Sequence, residues 1–383
     1  MKNTSFVARL GLFLWIVALV FIGWKVLFEP GNHTVVNHYL SGGERWVERI
    51  DLYTGPHGFI YMPLFASFFA MFTKLSIFWV DAFWRLILIS LTFYGLFSLT
   101  RALCEKNKQS EHIWQWFGLV SLVALPIAFS GLRNGQMNVV LSAVMILVTA
   151  RLIEERWNFA AVVLALVISL KPTFAVFFLL VAALYRPLWW RLPPLILLFL
   201  ALPFAIAGLE YSVQQYLNFM KMSQEAMILG MEEPNWATFF NIAPQLFGFY
   251  VPDNIQVSIK IPLALLTLML CYRTLRSTDP VTGAMTVLTL ASGYHMLFNP
   301  RSVNTDYVII GSVMAFWFAA ATLLWKDKAL AWMVGLNAFV ILQAYELSKL
   351  VTPEHHSWVN PLAALAFTML VLWQVRHGRR FVT

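Results

Sequence analysis

The chain has 383 residues, of which 60% are hydrophobic and only 12% are charged, and its net charge is +8. A soluble globular protein carries about twice that charged fraction, so this composition, with a mean hydropathy of +0.69, excludes a water-soluble domain. The apolar runs are continuous and long enough for helices across a ~30 Å hydrocarbon core. They lack the alternation of membrane β-barrel strands.

In chain order, the apolar runs predict an all-α polytopic membrane protein of about 12 transmembrane helices, forming a single transmembrane domain over residues 1–383. The first run has no small-residue cleavage site and is predicted to be a retained helix. The predicted spans are 10–28, 81–103, 114–131, 137–153, 158–170, 173–187, 193–209, 257–273, 282–298, 306–325, 329–350 and 358–375.

Basic residues give the orientation. If the N-terminus is cytoplasmic, alternate loops carry all the basic clusters, and every cluster lies in the cytoplasm, as the positive-inside rule requires. The positive charge is therefore interpreted as a topology signal and not as a nucleic-acid surface. The clusters are Arg101/Lys106/Lys108, Arg151/Arg156, Arg186/Arg191, Arg273/Arg276, Lys326/Lys328 and Arg376/Arg379/Arg380.

Two long segments, 29–80 and 210–256, are then predicted on the outer side. Within the first, Phe59–Leu75 is apolar enough to cross, but a crossing there would invert every later basic loop. We predict instead a helix that lies at the outer interface or dips partly into the membrane, with Pro63 near its first turn. The cysteines, Cys104 and Cys271, fall near predicted cytoplasmic helix ends and imply no disulfide or metal framework.

Polar groups at membrane depth are costly and are functional candidates by default. The outer turn 133–138 contains more polarity than a tight turn explains, because Gly135 and one asparagine would suffice. The next outer turn holds Lys171, followed by Pro172, which can begin a helix. Lys171 is interpreted as a cation for a phosphate, the alternative being a lysine that snorkels to the interface.

The outer segment 299–307 carries Arg301, Asn304 and Asp306. Arg301 and Asp306 either contact a substrate or pair with each other. His295, one turn earlier, is either a site residue or a satisfied core histidine, and the sequence leaves both readings open.

The first outer loop is the richest source of a general base, although a solvated face is the alternative for most of its acids. Its candidates are Asp51, Glu48 and His33. Asp51 alternatively caps a helix or pairs with Arg45 or Arg49. The loop's histidines have no metal-ligand spacing, and the chain has no nucleotide-binding or metalloprotease motif, so no cofactor and no metal are expected.

The clusters, taken together in this order, resemble glycosyltransferase family 87, whose members share the C-type membrane glycosyltransferase fold. The resemblance runs from the first outer loop to about residue 325. Each motif is weak alone, but their order and spacing are fairly specific. The matching stretches are Asp51-Leu52-Tyr53, Tyr61-Met62-Pro63-Leu64, Gly135-Gln136-Met137-Asn138, Leu170-Lys171-Pro172-Thr173, Asn235-Trp236-Ala237, Phe298-Asn299-Pro300-Arg301 and Asn304 to Tyr307.

The resemblance implies transfer of a hexose, such as mannose, from a polyprenyl-phosphate donor to a lipid or glycan acceptor. The site would face the periplasm or exterior of the plasma (inner) membrane, with membrane lipids and no nucleic acid as partners. Lys171 would hold the donor phosphate, and the first outer loop would supply the catalytic acid. The candidate donor-binding residues are Lys171, Arg133, Gln136, Asn138, Arg301, Asn304, Tyr61 and His57, and the further candidates are Asp306, His295 and Asn235.

The sequence departs from the family pattern at one point. The family's aspartate closely follows the first helix, where this chain has Asn32-His33-Thr34 and no carboxylate. Either another residue of the first outer loop has taken the role or catalysis is lost. Two other readings therefore remain: a transporter or flippase for a lipid-linked substrate, and an inactive relative that binds polyprenyl phosphate.

Overall fold

The computed structural model describes residues 6–54, 59–229 and 236–382. These parts of the chain form helices and connecting turns, and no strand occurs within them. The helices are α1 (Phe6–Phe28), α2 (Val36–Glu48), α3 (Pro63–Ala70), α4 (Ile77–Lys106), α5 (Ile113–Asn134), α6 (Met137–Ile153), α7 (Trp157–Leu170), α8 (Ala175–Leu184), α9 (Leu192–Ala207), α10 (Leu209–Leu229), α11 (Ile242–Phe247), α12 (Asp253–Ser277), α13 (Pro280–Phe298), α14 (Val308–Ala319), α15 (Lys328–Leu342), α16 (Ala344–Val351) and α17 (Val359–Arg376).

The described residues contain seven helices that are long and apolar enough to cross a membrane, so the chain is an integral membrane protein. They are α1, α4, α5, α12, α13, α17 and α14 with its flanking turns. An eighth crossing results if α15 and α16, which meet at a 74° bend, are one span. The apolar helices α6 to α9 are shorter, and α6 would extend about 25 Å at 1.5 Å per residue. The count of about 12 crossings therefore stays a prediction.

The structure confirms that each apolar run predicted to cross the membrane is helical. Every predicted span overlaps one helix or two consecutive ones. The apolar segment predicted to lie at the interface forms α3, which has eight residues and would extend only about 12 Å. That length is too short for a crossing of the ~30 Å core.

The core of the bundle is formed by α6, α13 and α14, while α12 stays on the outside. In their most apolar windows, 89% of the α13 residues but only 11% of the α12 residues are buried. Small residues allow close helix packing, as is common in membranes. A Cβ added to Gly118 on α5 would lie 2.5 Å from the Val7 carbonyl oxygen of α1, so these two backbones are in direct contact.

The predicted cytoplasmic loops meet at one end of this bundle. Arg101, at the end of α4, pairs with Glu154, after α6, at 3.4 Å. Arg379 pairs with Asp327, and the Asn107 amide donates to the Phe381 carbonyl oxygen at 2.6 Å. The predicted outer turns α5–α6, α7–α8 and α13–α14 come together at the other end, which holds the candidate site.

Candidate active site

Lys171 occupies the junction of α7 and α8, where the chain leaves the helix in an extended conformation before the turn at Pro172. Its side chain is buried, with 7% exposure. The ammonium Nζ donates to Asn138 Oδ1 at 2.5 Å and lies 5.4 Å from the centre of the Tyr61 ring. A buried ammonium needs such polar and aromatic partners, because an unpaired buried charge is strongly destabilising.

Asn138 joins Lys171 to a buried carboxylate. Its amide Nδ2 donates to Asp306 Oδ1, and the second oxygen of Asp306 accepts the Val303 backbone N–H at 3.0 Å. The structure thus connects three residues that are far apart in the chain into one charged network. We call this network, Lys171–Asn138–Asp306, the lysine network.

Two hydrogen-bonded tyrosines, Tyr39 and Tyr61, lie beside the lysine network. The Met62 backbone N–H donates to the Leu170 carbonyl oxygen at 3.0 Å, which fixes the turn before α3 against the end of α7. Tyr61 OH donates to Tyr39 OH at 3.3 Å, and Tyr39 OH accepts the Met137 N–H at 3.1 Å. Burial raises the pKa of Tyr61 to about 12, so this phenol stays protonated at neutral pH and is a hydrogen-bond donor.

Two other candidates, in the α5–α6 and α13–α14 turns, have unpaired buried polar atoms. Among the described residues, neither Gln136 Oε1 nor Arg301 Nε has a hydrogen-bond partner. Buried polar groups are normally satisfied, so these two unpaired atoms are candidates for contacts with a ligand. No ion pair between Arg301 and Asp306 is found in the described parts of the chain.

The remaining candidates of the outer turns have hydrogen bonds or packing contacts with residues outside the lysine network. Arg133 Nε donates to Asn134 Oδ1 at 3.1 Å. Asn304 donates to the His356 carbonyl oxygen at 3.1 Å and accepts from Asn360 at 2.8 Å, so it ties the 299–307 segment to the turn before α17. His295 is buried in a narrow crevice between apolar side chains, including Phe174 and Phe177.

The three base candidates differ in exposure. His33 and Glu48 are exposed near the two ends of α2. Asp51 is half-buried, and its Oδ1 accepts the Tyr53 N–H at 3.1 Å. Arg45 donates to the backbone carbonyl oxygen of Asp51 at 3.2 Å. The candidates His57 and Asn235 lie outside the described residues.

A buried ion pair next to the site was missed in the sequence. Asp81 and Arg85, one turn apart on α4, pair at 2.8 Å with 0% and 2% side-chain exposure. Thr34 donates to Asp81 at 2.8 Å, so the position where the family's aspartate is expected is attached to a carboxylate of another helix. The pair is visible in the sequence, because two charged residues inside an apolar run are expected to have a functional or structural role.

Tyr39 was also missed, and nothing in its local sequence distinguishes it from the aromatic residues of a membrane interface.

The turn at Gly135 is held by Trp84, whose Nε1 donates to the Gly135 carbonyl oxygen at 2.7 Å. Gly135 has φ +70°, a conformation that glycine adopts without strain.

A cavity of about 280 Å³ lies between α2 and the stretch before α3. We call it the first-loop cavity. Both tyrosines beside the lysine network also line this cavity. Its lining includes His38, Tyr39, Ser41, Arg45, Phe59 and Tyr61.

Comparison with known families gives one match. The model of the family described as Glycosyltransferase family 87 matches residues 59–300, which is more than half of the chain. The match includes the turns that contain Gln136 and Lys171 and ends within the Asn299–Arg301 stretch. A search of curated proteins finds no match.

Proposed function

The chain belongs to glycosyltransferase family 87, and from this premise we propose that it transfers a hexose from a polyprenyl-phosphate donor. The proposed acceptor is a hydroxyl of a lipid or glycan on the non-cytoplasmic face of the plasma membrane. Glycosyl transfer is the activity of the family. Mannose is the first sugar to test, because of the resemblance to mannosyltransferases that use polyprenyl-phosphate-mannose.

The observation that carries the proposal is the buried ammonium of Lys171 at the end of the bundle. In the transfer, the acceptor oxygen forms a bond to the anomeric carbon, and the bond from that carbon to the phosphate oxygen breaks. The bonding electron pair stays on the departing polyprenyl phosphate. A fixed cation that stabilises this developing charge in a water-poor site lowers the barrier. We assign that role to Lys171, with Asn138 and Asp306 as positioning residues.

The acceptor proton goes to a general base, and we assign this role to Asp51. Both oxygens of Asp306 already accept hydrogen bonds, which makes it a poorer proton acceptor. Asp51 Oδ1 accepts only the Tyr53 N–H among the bonds described for its carboxylate. Asp51 also directly precedes Leu52, which lines the first-loop cavity. None of the three base candidates is in the described lining itself, but His33 and Glu48 are exposed and neither directly adjoins a lining residue in the chain.

Gln136 and Arg301 are proposed as further donor contacts. A phosphate oxygen is a suitable acceptor for the unpaired Arg301 Nε, since charge-assisted bonds to phosphate are the strong ones. The unpaired Gln136 oxygen suits a hydroxyl of the transferred sugar. Each contact would satisfy an atom that has no partner in the described parts of the chain.

The test is transfer by the purified protein in lipid nanodiscs, with radiolabelled polyprenyl-phosphate-mannose and polyprenyl-phosphate-glucose as donors. We expect label to pass to a lipid or glycan acceptor, and no transfer from the corresponding nucleotide sugars. Transfer from nucleotide sugars alone would overturn the proposed donor. Donor binding without transfer to any acceptor would instead support an inactive relative, and movement of intact donor across the membrane would support a flippase.

A further inference from the structure

We propose that the first-loop cavity binds the terminal monosaccharide unit of the acceptor, and this inference rests on the proposed function. The cavity volume of about 280 Å³ is close to the lower end of small-molecule pockets, which span about 300–1,000 Å³. That size favours one sugar ring over a long glycan or a lipid chain.

The lining has the mixed character that a sugar requires. Aromatic rings of Tyr39, Phe59 and Tyr61 supply apolar faces for the C–H side of a sugar ring, while His38 and Ser41 supply polar groups for its hydroxyls. Ligand pockets commonly combine a mainly apolar lining with a few placed polar groups. The cavity therefore suits a hydroxyl-rich ring.

The charge in the lining favours a neutral guest. Arg45 is the permanent cation of the described lining, and its Nη1 donates to the backbone carbonyl oxygens of Asp51 and Thr54 at 3.2 and 3.0 Å. The guanidinium thus holds the 51–54 stretch, of which Leu52 lines the cavity. Because these N–H groups already donate to backbone carbonyl oxygens, the guanidinium has fewer free donors for an anionic headgroup. The cavity therefore suits a neutral sugar better.

The position of the cavity fits an acceptor. Tyr61 lines it, and the ring of the same residue lies 5.4 Å from Lys171 Nζ. Tyr39 also lines it and accepts a hydrogen bond from Met137, next to Asn138 of the lysine network. A sugar in the first-loop cavity would therefore contact two tyrosines, one beside Lys171 itself and one bonded to the residue next to Asn138.

Glycine on α2 shapes the cavity wall. A Cβ at Gly42 would lie 2.3 Å from Phe59 Cε2, so the Phe59 ring rests directly on the helix backbone. A methyl group there must displace the ring. Gly42→Ala therefore changes the cavity without replacing a residue of the lysine network. Because the Phe59 ring packs against Tyr61 at 5.4 Å, the donor KM is the readout that separates an effect on the cavity from an effect on Lys171.

The experiment tests the inference with substitutions that reduce or reshape the cavity. Ser41→Trp places a large side chain at an exposed lining position, and Gly42→Ala is the second variant. Val47→Trp is the matched control, because Val47 is on the same helix, is 59% exposed and does not line the cavity. Binding of tritiated octyl α-mannoside is measured in lipid nanodiscs, since maltoside detergents carry a competing sugar.

We expect both cavity variants to weaken octyl α-mannoside binding, and to raise its KM as acceptor, by about tenfold or more, while the donor KM stays within about twofold. Val47→Trp should match the wild type. Unchanged binding in both cavity variants would overturn the inference, as would displacement of octyl α-mannoside by inorganic phosphate. Failure of the proposed function is a separate result, in which the wild type transfers no sugar although octyl α-mannoside binds.

Discussion

Replacing Lys171 by methionine removes a buried ammonium while retaining an unbranched side chain. In the resting structure this ammonium makes a 2.5 Å charge-assisted bond to Asn138, and we expect it to make a similar bond to the donor phosphate. Loss of such a bond is worth ~1.5–3 kcal/mol, which corresponds to donor binding weaker by about 10- to 150-fold. The rate constant should fall further, by about 10²–10³-fold, as when one donor to a developing oxyanion is removed.

Lys171→Met alone leaves the buried carboxylate of Asp306 without its nearby cation. The double variant Lys171→Met/Asp306→Asn removes both charges and separates two explanations. If Lys171 serves only to neutralise Asp306, the double variant recovers donor binding. If Lys171 binds phosphate, the double variant stays as weak as Lys171→Met. The coupling between the two positions follows from the double-mutant cycle.

The assay is equilibrium binding of a fluorescent polyprenyl-phosphate-mannose to the protein in nanodiscs, followed by single-turnover transfer. Thermal unfolding of each variant shows whether the fold is retained. Wild-type donor affinity in a folded Lys171→Met variant would refute the assignment. Full recovery of binding in the double variant would leave Lys171 with a purely structural role.

Three other predictions address the base, the topology and the buried ion pair. Asp51→Asn should lower kcat by about 10²–10⁴-fold with donor affinity unchanged, and a wild-type rate in the transfer assay would remove Asp51 as the base. An impermeant maleimide added outside intact cells should label a cysteine at Ser223 but not one at Lys328, with little background because both native cysteines are buried; the opposite pattern would invert the topology. Arg85→Met should destabilise the protein by about 3–5 kcal/mol, because it leaves Asp81 buried and unpaired, and a melting temperature equal to that of the wild type would contradict this.

The positions of the apolar helices were determined by the sequence alone. A membrane helix satisfies its backbone hydrogen bonds within its own segment, so its limits depend on local apolar length and need no knowledge of neighbours. The predicted spans 137–153 and 282–298 correspond to α6 (Met137–Ile153) and α13 (Pro280–Phe298). Lys171 was likewise identifiable, because a lysine between two apolar runs stands out in any hydropathy pattern.

The partners of these residues were decided by the tertiary structure. The contacts of Asn138 with Lys171 and Asp306 join turns that are 33 and 168 residues apart, and no local pattern encodes which helix ends meet. The same holds for Tyr39, which becomes part of the site only because α2 packs where α3 and the Met137 turn converge. Helix formation depends on short-range hydrogen bonds and side-chain transfer into lipid, whereas the site depends on how finished helices pack against one another.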